Sequence, residues 1–177
     1  RVDRRQRQMC IRDRIHEVNP KAITIAEEVS GMPGLAAPFE DGGYGFDYRM
    51  AMNIPDYWIK IIKERKDEDW KPSSLFWEVT NRRKDEKTIS YCESHDQALV
   101  GDKTIIFRLI DADMYWHFKI GDENGVVERG IALHKMIRLL TASTINGGYL
   151  NFMGNEFGHP EWIDFPREGN GWSYKYA

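Results

Sequence analysis

Cysteines and long apolar runs are scarce in this sequence of 177 residues. The two cysteines, Cys10 and Cys92, cannot build a disulfide framework, so we expect a reducing compartment. No apolar run approaches the length of a membrane span, and residues 1–14 lack the apolar centre of a signal peptide. Hydrophobic residues still make up 41% of the chain, which is enough for a folded core.

Charge is distributed unevenly along the chain. Residues 1–14 contain six arginines against two aspartates, a net charge of +4, which leaves −7 for residues 15–177. A basic arm of this kind can bind nucleic acid, but the acidic body has no basic stripe that would extend such a surface. We therefore interpret residues 1–14 as a basic arm that is disordered or foreign to the chain, and predict no nucleic-acid partner.

Short β-branched runs alternate with longer amphipathic segments. Strands are predicted at residues 22–26, 88–92 and 149–153, with a shorter one around residues 45–48. Helices are predicted at residues 50–65, from 73 or 74 to 79, at 104–110 and at 126–145. Residues 30–47 carry five glycines and two prolines, which predicts a long loop. This alternation is typical of a parallel α/β sheet, whose sites lie beyond the carboxyl ends of the strands.

Polar side chains follow the predicted strands. Glu27 comes directly after the first strand, where a carboxyl group on an apolar wall can act as a general acid; the alternative is a solvated loop acid. His95 and Asp96 follow a later strand and suit metal binding, proton transfer or hydrogen bonding to substrate; the alternative is a structural histidine. A metal would need more ligands, and Glu93 is too close in sequence to complete the set.

Two further groups of residues carry open alternatives. Glu156 and His159 have the Glu-x-x-His spacing of di-iron bundles, but that motif needs a helix and glycines and a proline surround it here. We therefore predict no metal. Tyr48 and Trp162 belong to aromatic clusters in the long loop and the tail, and flat aromatic faces suit sugar rings; the alternative is ordinary packing.

Several of these segments together resemble one known family. Residues 24–34 and 93–98 are similar to two signature segments of the 1,4-α-glucan branching enzymes, in the α-amylase superfamily. Residues 43–49 and 149–172 match the same family in the right order. The resemblance extends from about residue 15 to the end of the chain.

The resemblance implies a fold, an activity and a set of site residues. The fold would be α/β, a partial (β/α)8 TIM barrel of about strands 5 to 8 with their helices and loops, formed by residues 15–177. The activity would be the transfer of α-1,4-glucan chains to a 6-hydroxyl, with retention of configuration. Glu27 would be the acid/base, Asp96 the transition-state stabiliser, and His95 a ligand of the sugar in the −1 subsite. The residues that would line the glucan cleft are Asp47, Tyr48, Arg49 and Trp162.

The same resemblance indicates the setting in which the protein works. Its partner would be an α-1,4-glucan such as glycogen, amylose or amylopectin, with no cofactor and no membrane association. The location would be cytoplasmic, or plastidic in a plant or alga.

One part of the family pattern is missing. The nucleophile of the family is an aspartate in a segment of the Arg-Phe-Asp type, and this sequence has no such segment. We therefore expect little or no branching by the chain alone, and the alternative function is a non-catalytic glucan-binding module. Half a barrel would also leave strand edges unpaired, so we expect self-association through those edges.

Overall fold

A computed structural model describes residues 4–100, 103–117, 119–159, 168–169 and 171. The four strands are β1 Ile25–Ala26, β2 Tyr48–Met50, β3 Thr88–Ser90 and β4 Gly148–Tyr149. The α-helices are α1 Arg4–Val18, α2 Asn53–Glu64, α3 Pro72–Thr80, α4 Ile105–Ile110, α5 Asp113–His117 and α6 Gly125–Ser143. Short 3-10 turns lie at Asp67–Asp69 and Asn155–Phe157, and a π-helical turn at Asp96–Val100.

The strands form one parallel sheet whose spatial order follows the chain, β1-β2-β3-β4. The register pairs Ile25 with Tyr48 and Met50 with Ile89. Because Tyr48 and Met50 are two residues apart on one strand, these four side chains share a face of the sheet. Ile25 on this face is 48% exposed. The predicted parallel α/β class is confirmed.

The other face of the sheet packs against the helices. The apolar residues of α2 recur at helical spacing, and Ile54, Trp58 and Ile61 are all buried. They join side chains from α3, α4 and α6 in the main hydrophobic cluster, which also contains Cys92. The Cys92 Sγ lies 3.8 Å from the carbonyl oxygen of Ile137 on α6, and burial raises the pKa of its thiol. A packed layer of helices therefore supports the segment of β3 that leads to His95 and Asp96.

A side chain caps the start of helix α6. Asn124 Oδ1 accepts hydrogen bonds from the backbone N–H groups of Val126 and Val127, at 2.9 and 3.1 Å. The helix ends at Ser143, two residues before the predicted end. Beyond it, Asn146 Oδ1 accepts from the N–H and the hydroxyl of Thr88, so Asn146 fixes the start of β3.

The strands differ from prediction in length and position. The runs predicted at 22–26 and 88–92 pair over only two and three residues, and β4 at Gly148–Tyr149 shares only Tyr149 with the run predicted at 149–153. The strand predicted at 45–48 lies later, at Tyr48–Met50, because Arg49 and Met50 pair with Thr88 and Ile89 of β3. Helix α2 consequently begins at Asn53 rather than at residue 50.

The arginine-rich segment differs from the expected disordered arm. Residues 4–14 form the larger part of helix α1, which continues to Val18. Arg12 Nη1 donates a hydrogen bond of 3.3 Å to the carbonyl oxygen of Gly45, in the long loop. Helix α1 therefore contacts the body of the protein.

The long loop between β1 and β2 is anchored by a buried carboxylate. Glu86 is 1% exposed, and its Oε1 accepts a hydrogen bond of 2.7 Å from the N–H of Gly34. Its Oε2 lies 2.9 Å from Nη1 of Arg49, and the same Nη1 donates to the carbonyl oxygen of Met32. Burial alone would raise the pKa of Glu86, but the Gly34 N–H and the Arg49 guanidinium hold it below its usual value.

Candidate active site

The carboxyl edge of the parallel sheet gathers the polar residues that follow β1 and β3. Glu27 comes directly after β1 and is exposed. Asp96 begins the π-helical turn after β3, and its side chain is 39% exposed. His95 precedes it, with Nε2 3.3 Å from Asp96 Oδ1. The structure thus places all three predicted site residues beyond the same edge of the sheet.

Tyr91 is a buried residue of the same segment as His95 and Asp96. It follows β3 directly and is 1% exposed. Burial raises the pKa of the Tyr91 hydroxyl, and the negative charges of Asp56, Glu27 and Asp96 raise it further. Asp56 lies in the first turn of α2, Glu27 directly after β1 and Asp96 in the turn after β3, so charges from three separate segments act on Tyr91.

The turn that carries His95 and Asp96 is held by its own side chains. Gln97 Oε1 accepts from the backbone N–H and from the hydroxyl of Ser94, at 2.8 and 3.0 Å. The Ser94 hydroxyl oxygen in turn accepts from the N–H of Asp96 at 3.3 Å. Both Ser94 and Gln97 are buried, whereas His95 is 47% exposed at its side chain. The buried side chains of Ser94 and Gln97 therefore support the accessible imidazole of His95 and carboxylate of Asp96.

Glu93 is a further buried acid beneath this turn. It is 1% exposed, and burial raises its pKa. Sequence reasoning considered Glu93 only as a metal ligand and did not single out Tyr91. In the sequence, Glu93 stands out only as a carboxylate between a predicted apolar strand and the His95–Asp96 pair. Tyr91 looks like an ordinary residue of that apolar strand.

Two predicted cleft residues make contacts of their own within the fold. Asp47 precedes β2, so it lies at the amino end of the sheet, where its Oδ2 accepts from the N–H and the hydroxyl of Thr24, both at 2.7 Å. Burial opposes its ionisation, but the bonds from Thr24 and the nearby His16 hold its pKa below the usual value. Arg49 pairs in register with Ala26, the residue before Glu27, but it is 7% exposed and its guanidinium is bound to Glu86 and to the long loop.

Tyr48 lies on the partly open face of the sheet. Its ring covers Gly147, where a Cβ atom would come within 2.8 Å of the Tyr48 ring and within 2.6 Å of the Thr88 carbonyl oxygen. Only glycine fits there without movement of the neighbours, so Tyr48 packs across the start of β3 and β4. Trp162, the remaining cleft residue, lies outside the described residues.

Neither a metal site nor a membrane span is found within the described ranges. No three His, Cys, Asp or Glu side chains among the described residues are grouped to hold a metal ion. The Glu156–His159 segment forms a 3-10 turn between Gly154 and Gly158, both with positive φ, rather than the helix that the di-iron spacing needs. Of the helices described, none is long and apolar enough to cross a membrane.

Comparison with known proteins gives consistent matches. The chain is 58% identical over 170 residues to a protein of Rhizophagus irregularis named 1,4-alpha-glucan-branching enzyme, which is 96% of this chain and 25% of that relative. Proteins of the same name from Saccharomyces cerevisiae and Solanum tuberosum are 58% and 59% identical, over 96% and 94% of this chain. They are covered over 24% and 19% of their own lengths, so the chain spans about a quarter or less of these relatives. No family model matches the chain.

Proposed function

Because the chain is homologous to 1,4-alpha-glucan-branching enzymes over most of its length, we propose that it is part of such an enzyme. The whole enzyme transfers α-1,4-glucan chains to a 6-hydroxyl and so forms the α-1,6 branches of glycogen or starch. In this proposal β1 to β4 are strands 5 to 8 of a (β/α)8 barrel. The protein then works in the cytoplasm, or in the plastid of a plant or alga.

The observation that carries the proposal is that Glu27 follows β1 and Asp96 follows β3 at the same carboxyl edge of one parallel sheet. Active sites of (β/α)8 barrels form at this edge, from residues that follow different strands. A retaining glycoside mechanism needs one carboxyl group that gives and takes a proton and another that forms the glycosyl-enzyme. Glu27 is positioned to be the first of these.

Each residue has a distinct role in this proposal. Glu27 protonates the leaving glucan oxygen and then removes the proton from the incoming 6-hydroxyl, a contribution of about 10²- to 10⁴-fold to the rate. Asp96 stabilises the positive charge of the oxocarbenium-like transition state through its own negative charge. His95, exposed beside Asp96, donates hydrogen bonds to hydroxyls of the same sugar ring. The buried ties of Asp47 and Arg49 give those residues a scaffold role instead.

The chain does not contain the nucleophile of this mechanism. No Arg-Phe-Asp segment occurs in the sequence. Glu27 and Asp96 therefore work together with an aspartate supplied by another part of the longer protein. We expect the purified chain to show negligible branching in an iodine–glucan assay, while still binding maltooligosaccharide at millimolar concentration.

The test is a chimera in which this chain replaces the homologous segment of the Saccharomyces cerevisiae relative. We expect the chimera to branch amylose, and Glu27→Gln to lower its kcat by about 10²- to 10⁴-fold. Glu28→Gln is the matched control, because Glu28 is adjacent but its Oε2 is bound to the N–H of Ser30. An inactive chimera, or a Glu27→Gln variant as active as Glu28→Gln, would overturn the proposal. An inactive chimera that still binds glucan would favour the non-catalytic binding module.

A further inference from the structure

Glu93 joins two segments that are otherwise separate. Its Oε2 accepts a hydrogen bond of 2.8 Å from the backbone N–H of Ile105, the first residue of α4. Its Oε1 accepts a bond of 2.6 Å from Nδ2 of Asn155, in the 3-10 turn after β4. Asn155 is itself 7% exposed. The carboxylate therefore connects the segment after β3 with the segment after β4, beneath the surface.

A buried carboxylate at this place is energetically expensive. Removing a charged group from water costs several kcal/mol unless hydrogen bonds replace the lost hydration. Both Glu93 oxygens accept such bonds, and the charges of Arg138 and Arg108 favour the ionised form, although burial raises the pKa. An apolar residue would fill the space without this cost. The desolvation cost of Glu93 therefore indicates that its two hydrogen bonds have a specific role.

The two bonds hold the turn that carries His95 and Asp96. Ser94 and Gln97 fix the shape of that turn from within, but they do not fix it relative to β4. Glu93 lies two residues before His95. Next to it, Cys92 Sγ lies 3.6 Å from the hydroxyl oxygen of Tyr149 on β4, and Glu93 adds a second link, from the start of the turn to Asn155 after β4.

We infer that Glu93 is a positioning residue, which places His95 and Asp96 relative to the turn after β4 through its bond with Asn155. The effect on sugar binding and transfer rests on the proposed function, whereas the positioning itself does not. Misplacement of a reacting group by about 1 Å can cost up to about 10²-fold in rate. Glu93 acts on the reaction only through the two residues that it places.

The positioning is tested by NMR of the His95 imidazole in the full chain. Glu93→Asp shortens the side chain by one methylene and cannot keep both bonds. Asn155→Asp sets two carboxylates against each other, and the double variant E93Q/N155D restores the bond with donor and acceptor exchanged. We expect both single variants to shift the His95 resonances and the double variant to return them, while those of His16, which contacts Ala22 and Asp47 at the amino end of the sheet, stay in place.

A control and a contradiction are available in the same experiment. Glu156→Gln alters an exposed carboxylate that accepts a hydrogen bond from Asn151 and lies next to Asn155 in sequence. It is expected to leave His95 unchanged. If folded Glu93→Asp keeps the parent His95 resonances, or if the double variant fails to restore them, Glu93 does not position the turn. Should Asn155→Asp not fold, the comparison of Glu93→Asp with the parent still decides.

The catalytic consequence is measured in the chimera. We expect Glu93→Asp to lower kcat by about 10- to 100-fold with KM for amylose within about twofold, and E93Q/N155D to recover kcat to within about threefold. A purely structural role would lower the melting temperature and the yield while leaving kcat per folded molecule unchanged. An inactive unsubstituted chimera would overturn the proposed function, and the NMR experiment would still decide the role of Glu93.

Discussion

Arg49 and Glu86 form a buried ion pair that joins β2 to the segment before β3, with 2.9 Å between Nη1 and Oε2. Removal of one partner leaves an uncompensated charge in the interior. We expect Arg49→Met to lower the free energy of unfolding by about 3–5 kcal/mol, measured by urea titration. The loss has this size because the pair also anchors the long loop through Gly34 and Met32.

The double variant R49M/E86Q is the control for that experiment. It removes both charges, so it should cost clearly less than Arg49→Met alone. Equal losses in the two variants would show that lost packing, rather than the unpaired Glu86 carboxylate, sets the stability of this region.

The indole of Trp58 is hydrogen-bonded to helix α6. Its Nε1–H group donates a bond of 3.0 Å to the hydroxyl oxygen of Thr141, and both residues are fully buried. Thr141→Val is almost isosteric and leaves the indole N–H without this bond, so we expect a loss of about 1–3 kcal/mol in urea unfolding. Thr141→Ser keeps the hydroxyl and should lose less. Equal losses in the two variants would contradict a dominant role of the hydrogen bond.

The stability of the chain should fall between pH 7 and pH 5 because of His134. Burial, with a contribution from Arg138, lowers the pKa of His134 from 6.5 to about 4. The unfolded chain therefore binds a proton in this range that the folded chain does not, and stability is lost as the pH falls. We expect a contribution of about 2 kcal/mol between pH 7 and pH 5.

Comparison with His134→Gln isolates this contribution. Glu93 acts in the opposite direction. Because burial raises its pKa, the folded chain binds a proton before the unfolded chain does, and stability rises as the pH falls toward the usual pKa of a glutamate. Glu93 is present in both proteins, so its effect cancels in the difference. A pH dependence of urea unfolding that is the same for the parent and for His134→Gln would contradict the assignment.

The edge strand β1 and the segment just before it expose apolar side chains, since Ile25 in β1 and Ile23 before it are 48% and 66% exposed. We expect the chain to associate as its concentration rises, and the double variant I23K/I25K to be more monomeric, because lysine on an edge strand discourages pairing. Light scattering after size exclusion measures the mass. Val18→Lys is the control, since Val18 is 71% exposed in α1 rather than on the edge. A monomeric parent at every concentration would contradict the expectation.

Local pattern predicted the longer helices of the body but not every helix. The apolar spacing of α2 and α6 lies within short stretches of sequence, and α6 ends at Ser143, close to the predicted end at residue 145. The short helix α5 was not predicted, and the arginine-rich segment forms a helix instead of the expected disordered arm. The position of β2 was not predictable in this way, because Arg49 and Met50 are placed by pairing with Thr88 and Ile89 about forty residues later.

The same distinction applies to the candidate site. The places of Glu27, His95 and Asp96 at strand ends could be read from the sequence, since parallel strands end at a common edge. Glu93 could not be assigned, because its partner Asn155 lies 62 residues away. Asp47 and Arg49 lie in the motif beside Tyr48, yet the direction of the strand takes them to the amino end and to the helical face.

The burial of Cys92 against α6 gives the chain a built-in reporter of its own opening. Cys10 is exposed and Cys92 is buried, and only a thiolate reacts with an alkylating dye. A dye therefore labels Cys10 in the native chain and reaches Cys92 when α6 separates from the segment after β3. The rate at which Cys92 is labelled therefore measures how often the core that supports the site opens. No introduced probe is needed.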